Sequence, residues 1–542
     1  MFIKKISAKE TSEDVMSNEY RSRSSRRERR SSRWANKDSD VVEAAANQAI
    51  RHLEEEPEGQ NVERTSRQKL THEKTLRIPL AVYGLLTGLS VLLALTFYAF
   101  PLWKPVATAS QSQNLYSGFA MHHGLVPFND FYGTGGTVFY LINWLGNIGG
   151  TTWLLWLFEI IALLISGILV YRLVGQQTKN QTASLTVSVF TLVIIAGLAR
   201  GGDSPTLFAL PFALWAARFL SSYFQDSSTD RGFIRFGMAA AFALVISPIM
   251  SVFFILSAIA LIIHNVGSRK IGRGFYQMLA TILGVLLVGY SVAYYSLEEQ
   301  TIYTSIEQSI LIPFTHFGPS GDLLLTLAKA LVLTLIFGIV AGFVQGIVQL
   351  KKGGPARVWY VMMLIGIVGL TTMIVFAQTF DSSNLLAVLP FTIVFAGLGL
   401  TDSDQILLKY LQNRLFAPIL AILFVIFTPI SYHFMNRTIA SEEQSVAQYI
   451  KANATGSDRV YVVADGKNIN NLTKTISTLD NVPANYPIKF TQSYDLKVGK
   501  LSDKFVVLQA SEKAPASLKK VLDKDYKVTN YAGKYFQVYK KK

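Results

Sequence analysis

The middle of this chain constrains it most. Residues 78–433 hold only 28 Asp, Glu, Lys and Arg in 356 positions, whereas a soluble domain carries about 25% charged residues. No water-facing surface of that size can be built from so few charges, so the segment must face lipid. Runs of about 20 apolar residues fall near 78–101, 152–172, 183–199, 205–224, 236–247, 249–264, 276–297, 323–350, 358–377, 384–401 and 415–433. The expected fold class is therefore an α-helical polytopic membrane protein with about eleven transmembrane helices. The stretch 236–264 is the least defined, because Ser247-Pro248 interrupts one continuous apolar run.

Basic residues orient such a chain, since cytoplasmic loops are enriched in Lys and Arg. With the N-terminus inside, loops and span ends on the cytoplasmic side carry thirteen, among them Arg172, Lys179, Arg218, Arg273, Lys351 and Lys352. The outer loops carry only Lys104 and Arg200. The bias requires Ser247-Pro248 to be an outward hairpin, and an odd span count then puts the C-terminus outside.

The two flanks differ in kind. Residues 1–76 form a polar cytoplasmic tail whose run Arg21–Arg33 holds seven Arg and one Glu. Such a tail cannot bury a core and is expected to be disordered, apart from a short helix around Val41–Glu56. It reads as a topogenic segment or a site for anionic lipid head groups, with no nucleic-acid partner. No signal peptide opens the chain, so the first span is expected to be an uncleaved signal-anchor. Residues 434–542 hold 18 Lys/Arg against 10 Asp/Glu and alternate helix and strand patterns. Helices are expected at Ser441–Asn453, Leu472–Leu479 and Ala516–Leu522, and strands at Arg459–Ala464, Lys504–Gln509 and Tyr535–Tyr539. That predicts a small extracytoplasmic α/β domain with a partly parallel sheet. It has no Gly-rich phosphate loop. The absence of cysteine excludes disulfides, thiolate metal sites and cysteine nucleophiles, and fits a bacterial cell membrane.

Chemistry has few places to sit. The loop 102–151 between the first two spans is long, and long loops tend to be functional. It contains one carboxylate, Asp130, adjacent His122 and His123, Tyr132 and a Gly-rich turn, within the run Gly124-Leu-Val-Pro-Phe-Asn-Asp-Phe-Tyr-Gly-Thr-Gly-Gly136. These residues could form a site against the outer face, or Asp130 could simply cap the turn. Two charges lie at membrane depth, Glu159 and Lys329, and such charges face a partner or a wet cavity. Asp322 lies seven residues before Lys329 on the same helical face. The outer loop 298–322 adds His316 beside its acids, which could hold a divalent cation or be a solvated face. No residue set reads as a dedicated metal site, and no cofactor is assigned beyond that divalent cation.

A long first outer loop with G-x-x-P-F-x-D-F-Y, a Gly turn and a short amphipathic helix resembles the GT-C superfamily of membrane glycosyltransferases. That superfamily includes protein mannosyltransferases and lipid A aminoarabinose transferases. The hairpin Ala199-Arg-Gly-Gly-Asp-Ser-Pro205 is similar to the family's short outer turn. The resemblance implies transfer of a sugar from a polyprenyl-phosphate donor to an envelope polymer, lipid or protein acceptor on the outer face, with inversion. For that chemistry Asp130 or Asp203 could act as base, Arg200 and Lys329 could meet the carrier phosphate, and His122, His123, Tyr132, Glu159, His316 and Asp322 could line the acceptor pocket. One departure stands out. The family has an acid at the start of this loop, whereas this chain reads Ala107-Thr-Ala-Ser-Gln-Ser-Gln-Asn114. The alternatives are a non-catalytic scaffold in envelope assembly and a lipid-linked sugar flippase, although no internal repeat of the transporter kind is present.

Overall fold

Helices with unbroken apolar surfaces dominate the computed structural model. It describes residues 78–102, 108–224, 230, 232–318, 323–377, 380–401, 416–455, 458–463, 467–479, 494–510 and 514–542. The Arg-rich tail, the helix expected at Val41–Glu56 and Asp322 lie outside these residues.

In chain order the helices are α1 (Leu80–Ala94), α2 (Ala109–His122), α3 (Thr137–Gly146), α4 (Trp153–Thr178), α5 (Gln181–Ala199), α6 (Pro205–Phe224), α7 (Gly232–Ile246), α8 (Ser251–Gly267), α9 (Ile271–Glu298), α10 (Leu323–Ile336), α11 (Ile339–Lys352), α12 (Arg357–Val375), α13 (Leu389–Thr401) and α14 (Phe416–Asn453). Among the described residues seven stretches are long and apolar enough to cross a membrane, or up to eight if the bent pair α10–α11 is one span. The two halves of that pair meet at 63°, with Gly338 in the left-handed region at φ +74° where a side chain would be strained. Helices α1 and α7 have 15 residues each. At 1.5 Å per residue they reach roughly 22 Å, short of the ~30 Å hydrocarbon core. The expected eleven full-length spans are therefore not reached among the described residues. The protein is nonetheless a multi-pass membrane protein. Its α9 packs on α7 and turns Leu286, Tyr290 and Tyr294 outward, an apolar exterior that water would not tolerate.

Ser247-Pro248 does break its apolar run. Helix α7 stops at Ile246, a single turn covers Pro248–Met250, and α8 begins at Ser251. Pro248 has no N–H to continue the ladder. The Gly136 N–H donates to the Ile246 carbonyl at 2.9 Å, and a side chain at Gly136 would collide with the Val245 carbonyl. The break thus lies at the end of the bundle that carries the first loop.

The last helix leaves the bundle and enters the C-terminal domain without interruption. Val446 and Ile450 of α14 pack on one face of a four-stranded sheet, with Val460, Val462, Phe505 and Val538. Strands β1 (Val460–Val463), β2 (Phe505–Gln509), β3 (Tyr526–Val528) and β4 (Phe536–Lys541) lie in the order β1-β2-β4-β3. The β1–β2 pair is parallel and the others antiparallel, as the alternating pattern predicts. Helix α16 (Ala516–Asp525) covers the other face through Leu518 and Leu522. The helix expected at Leu472–Leu479 is instead α15 (Asn468–Thr473). It ends at Lys474, in the left-handed region at φ +57°. The Asn470 amide then bonds the Val460 and Thr475 carbonyls, which holds the following residues along β1. Strand β3 was not legible in the sequence pattern.

All described residues belong to one compact unit, Glu73–Lys542, and the C-terminal domain rests on the first-loop helix α2. Asn471 donates to the Ser112 carbonyl at 2.8 Å, and the Ser477 N–H donates to the Tyr116 hydroxyl at 3.0 Å. The Lys467 ammonium lies 5.6 Å from the centres of both the Tyr116 and Tyr461 rings, and Lys497 donates to the Asn129 carbonyl. Tyr116→Phe removes the acceptor of a buried N–H and is expected to cost about 1–3 kcal/mol. Thermal unfolding checks this: an unchanged midpoint would mean that this seam contributes nothing.

Candidate functional site

Between α5 and α6 the chain turns through four consecutive residues with positive φ: Arg200 (+46°), Gly201 (+104°), Gly202 (+82°) and Asp203 (+43°). Arg200 and Asp203 carry side chains, and left-handed conformations cost such residues of order 1–3 kcal/mol each. The turn persists because its surroundings satisfy it at every carbonyl. Gln111 donates to the Arg200 carbonyl at 2.7 Å and to the Gly202 carbonyl at 3.2 Å. The Tyr98 N–H donates to Gly201 at 2.7 Å, and Asn114 donates to Asp203, also at 2.7 Å. From below, the Glu159 carboxylate accepts the Asp203 N–H at 2.6 Å.

Gln111 is held from both ends. Thr108-Ala-Ser-Gln111 is a capping box: the Thr108 hydroxyl accepts the Gln111 N–H and the Gln111 Oε1 accepts the Thr108 N–H. That leaves the amide NH2 facing the two turn carbonyls. A carboxylate here would meet both oxygens with no hydrogen to offer. The stretch in which the resemblance implies an acid is thus organised around an amide donor. Gln111→Glu is expected to cost about 2–4 kcal/mol through a buried charge and two lost hydrogen bonds, and Gln111→Glu thermal unfolding at neutral pH against the parent measures it.

Beneath the turn, acids and amides meet in a dry interior. Glu159 and Asn143 are fully buried, Asp203 is 2% exposed and Gln111 5%. The Asp203 Oδ1 accepts from Asn143 at 3.1 Å. Glu159 Oε2, Asp203 Oδ2 and Asn143 Oδ1 are buried with no hydrogen-bond donor among the described residues. Burial pushes the Asp203 carboxyl up to about 7, against the opposing Asn143 hydrogen bond. All three are oxygen acceptors, a chemistry suited to a proton or a hard cation rather than to zinc. Among the described residues no three His, Cys, Asp or Glu side chains form a metal-holding group.

The raised Asp203 carboxyl has a consequence for stability. A carboxyl that holds its proton more tightly when folded stabilises the fold fully below the unfolded value. That contribution is lost as pH rises from about 3.8 through about 7. Stability is therefore expected to fall by up to ~1.4 kcal/mol per pH unit across that window, and Asp203→Asn should flatten the slope. Unfolding midpoints between pH 4.5 and 7.5 for both proteins test this.

A further acid lies nearby. Glu443 of α14 accepts from Asn468, and burial pushes its carboxyl up. Both Glu443 and Asp203 lie within electrostatic reach of the Tyr98 hydroxyl.

Sequence comparison places this bundle in a family. The model for the N-terminal domain of the competence-induced protein Ccs4 matches residues 71–437. The Ccs4 C-terminal domain model matches residues 440–542. The chain belongs to the Ccs4 family. Among curated protein sequences none matches it. Among solved structures, ArnT from Cupriavidus metallidurans bound to undecaprenyl phosphate is similar at a TM-score of 0.60 and 11% identity, covering 85% of this chain and 98% of that one. ArnT in the apo state gives 0.56 and 12%, with the same coverage. The archaeal oligosaccharyltransferase AglB from Archaeoglobus fulgidus gives 0.45 and 13%, covering 79% of this chain and 69% of that one. The chain therefore shares the fold of ArnT.

The expected site residues separate into groups. Asp203 and Glu159 meet, through the Asp203 backbone, and the Arg200 carbonyl belongs to the same turn. Asp130 does what a turn cap does: its carboxylate accepts the Val126 N–H at 2.8 Å. Tyr132 follows, and its carbonyl accepts from Gln113. His122 bonds the Trp144 carbonyl and stacks on that ring, while His123 bonds the Phe119 carbonyl. Both imidazoles are exposed. His316 pairs with Thr315. Lys329 is exposed on α10, and among the described residues it makes no ion pair with Glu159.

Asn143, Gln111 and Asn114 carry the site and were not singled out from sequence. Gln111 alone had a local signal, its capping box with Thr108.

Proposed function

We propose that this Ccs4-family chain is a glycosyltransferase that moves a sugar from a polyprenyl-phosphate donor to an envelope acceptor. The observation that carries the reading is the braced left-handed turn holding Asp203 above Glu159. Strain is stored where a group must be held in one place, and a carboxyl near neutrality suits proton transfer. Asp203 takes the acceptor hydroxyl's proton as that oxygen attacks the anomeric carbon. The bond from that carbon to the phosphate oxygen breaks, and the polyprenyl phosphate leaves with its charge met by Arg200. Asp130 holds the first-loop turn rather than acting as base. Lys329, exposed on α10, meets the carrier phosphate only where the carrier approaches along that helix. Similarity of fold to a structure holding undecaprenyl phosphate supports the donor class.

A second reading, a non-catalytic partner in envelope assembly, is favoured by Gln111, which lies in the stretch where the resemblance implies an acid and is saturated by backbone. Turnover by purified protein separates the two. Loss of transfer in Asp203→Asn supports the enzyme, whereas the absence of turnover in the parent with every polyprenyl-phosphate sugar supplied favours the partner.

The orientation we propose has the first loop and the C-terminal domain outside. Cysteines at Asn180, between α4 and α5, and at Lys497 should label from opposite faces of intact cells. Labelling of both by an impermeant reagent would overturn the topology.

A further inference from the structure

At the end of the bundle away from the left-handed turn, two arginines stand together without an acid. Arg172 lies thirteen residues beyond Glu159 on α4, and Arg218 thirteen residues beyond Pro205 on α6. At 1.5 Å per residue each is about 20 Å from the site level. The two helices pack directly on each other, so both arginines stand at the same level of the bundle. Arg172 is exposed and reaches the Tyr83 hydroxyl of α1 at 3.4 Å. Arg218 is half-buried, and its Nε is fully buried with no hydrogen-bond partner. Among the described residues neither arginine forms an ion pair.

Like charges side by side at a membrane boundary, one with a buried donor left open, are costly unless an anion joins them. The ordinary explanation, two basic residues independently reaching toward water, fits Arg172 but not the buried Nε of Arg218. A guanidinium pair offers parallel donors in the geometry that phosphate oxygens accept, and Tyr83 adds a hydroxyl from a third helix. We infer that Arg172, Arg218 and Tyr83 form a phosphate-binding site between α1, α4 and α6, separate from the candidate site, whose ligand is the phosphate of an anionic lipid. Such a ligand would tie α1 and α6 to each other through α4, on which both pack, and so brace the far end of the bundle. The inference does not depend on the proposed transferase activity.

Native mass spectrometry of the full chain tests it, after exchange into micelles holding equal phosphatidylglycerol and phosphatidylcholine. The parent should retain phosphatidylglycerol in preference, and Arg172→Gln/Arg218→Gln should lose that excess at least fivefold. Lys351→Gln, a basic change at the end of α11, should keep it. A second arm adds inorganic phosphate in lipid-free detergent. Stabilisation of the parent but not of the double variant by phosphate alone, without any phosphatidylglycerol excess, would keep the anion site and replace the lipid by soluble phosphate. Should the double variant fail to fold, Arg172→Gln alone, at an exposed position, should lose most of the excess, and Arg172→Lys should retain part of it. Equal phosphatidylglycerol retention by the parent and the glutamine variants, with no phosphate effect, would overturn the site.

Discussion

Asp203→Asn is expected to reduce glycosyl transfer by about 10²–10⁴-fold, the range over which a positioned general base acts, while leaving a folded protein. Asparagine keeps the shape and can still accept the Asn143 hydrogen bond through its own carbonyl. It also removes a carboxyl whose ionisation is disfavoured where it sits, so stability near pH 7 should hold or rise. The paired readout matters. Lost activity with an intact unfolding midpoint places Asp203 in the chemistry. Retained activity would move the base elsewhere, with Glu443 the next acid to examine, because it approaches the same Tyr98 hydroxyl.

The second large effect is conformational. Gly202 has φ +82° and lies directly over Glu159, so a methyl group there would collide with the Glu159 Oε1 and meet the Phe97 ring at 2.8 Å. Glu159 cannot yield without releasing the Asp203 N–H. Gly202→Ala should therefore cost about 2–4 kcal/mol, combining the left-handed penalty with overpacking, and should lower activity along with it. Thermal unfolding together with turnover checks both. Gly124→Ala is a matched control, since Gly124 also has positive φ (+79°) but open space around it. A midpoint loss no larger than that of Gly124→Ala would show that the Glu159 contact does not hold the turn.

The architecture was readable because lipid-facing helices and buried strands leave periodic, low-charge signatures. The run Phe505–Gln509 and the interruption at Ser247-Pro248 are cases where composition alone decides the element. The site was readable only in its charges. Glu159 and Asp203 stand out as acids among apolar neighbours, yet nothing local says that one accepts the backbone N–H of the other across 44 positions. The amides were harder still. Asn143 is a lone amide in the apolar helix α3, but nothing local names its partner, and Asn114 sits within a polar loop helix and does not depart from its surroundings. Asp130 was legible only as two alternatives, because a lone carboxylate in a long loop fits a site and a turn cap alike, and the bond to Val126 appears only in the structure. Lys329 and Glu159, paired by their similar depth in sequence, belong to helices that bring them to different surroundings.

The most direct test of the account is the pool of polyprenyl-phosphate sugars in cells producing the parent, Asp203→Asn, or neither. Mass spectrometry of extracted lipids should show one polyprenyl monophosphate sugar that is consumed in the parent and accumulates equally in the other two. Identical pools in all three, with the variant protein folded and in the membrane, would contradict the assignment of the left-handed turn as a transferase site.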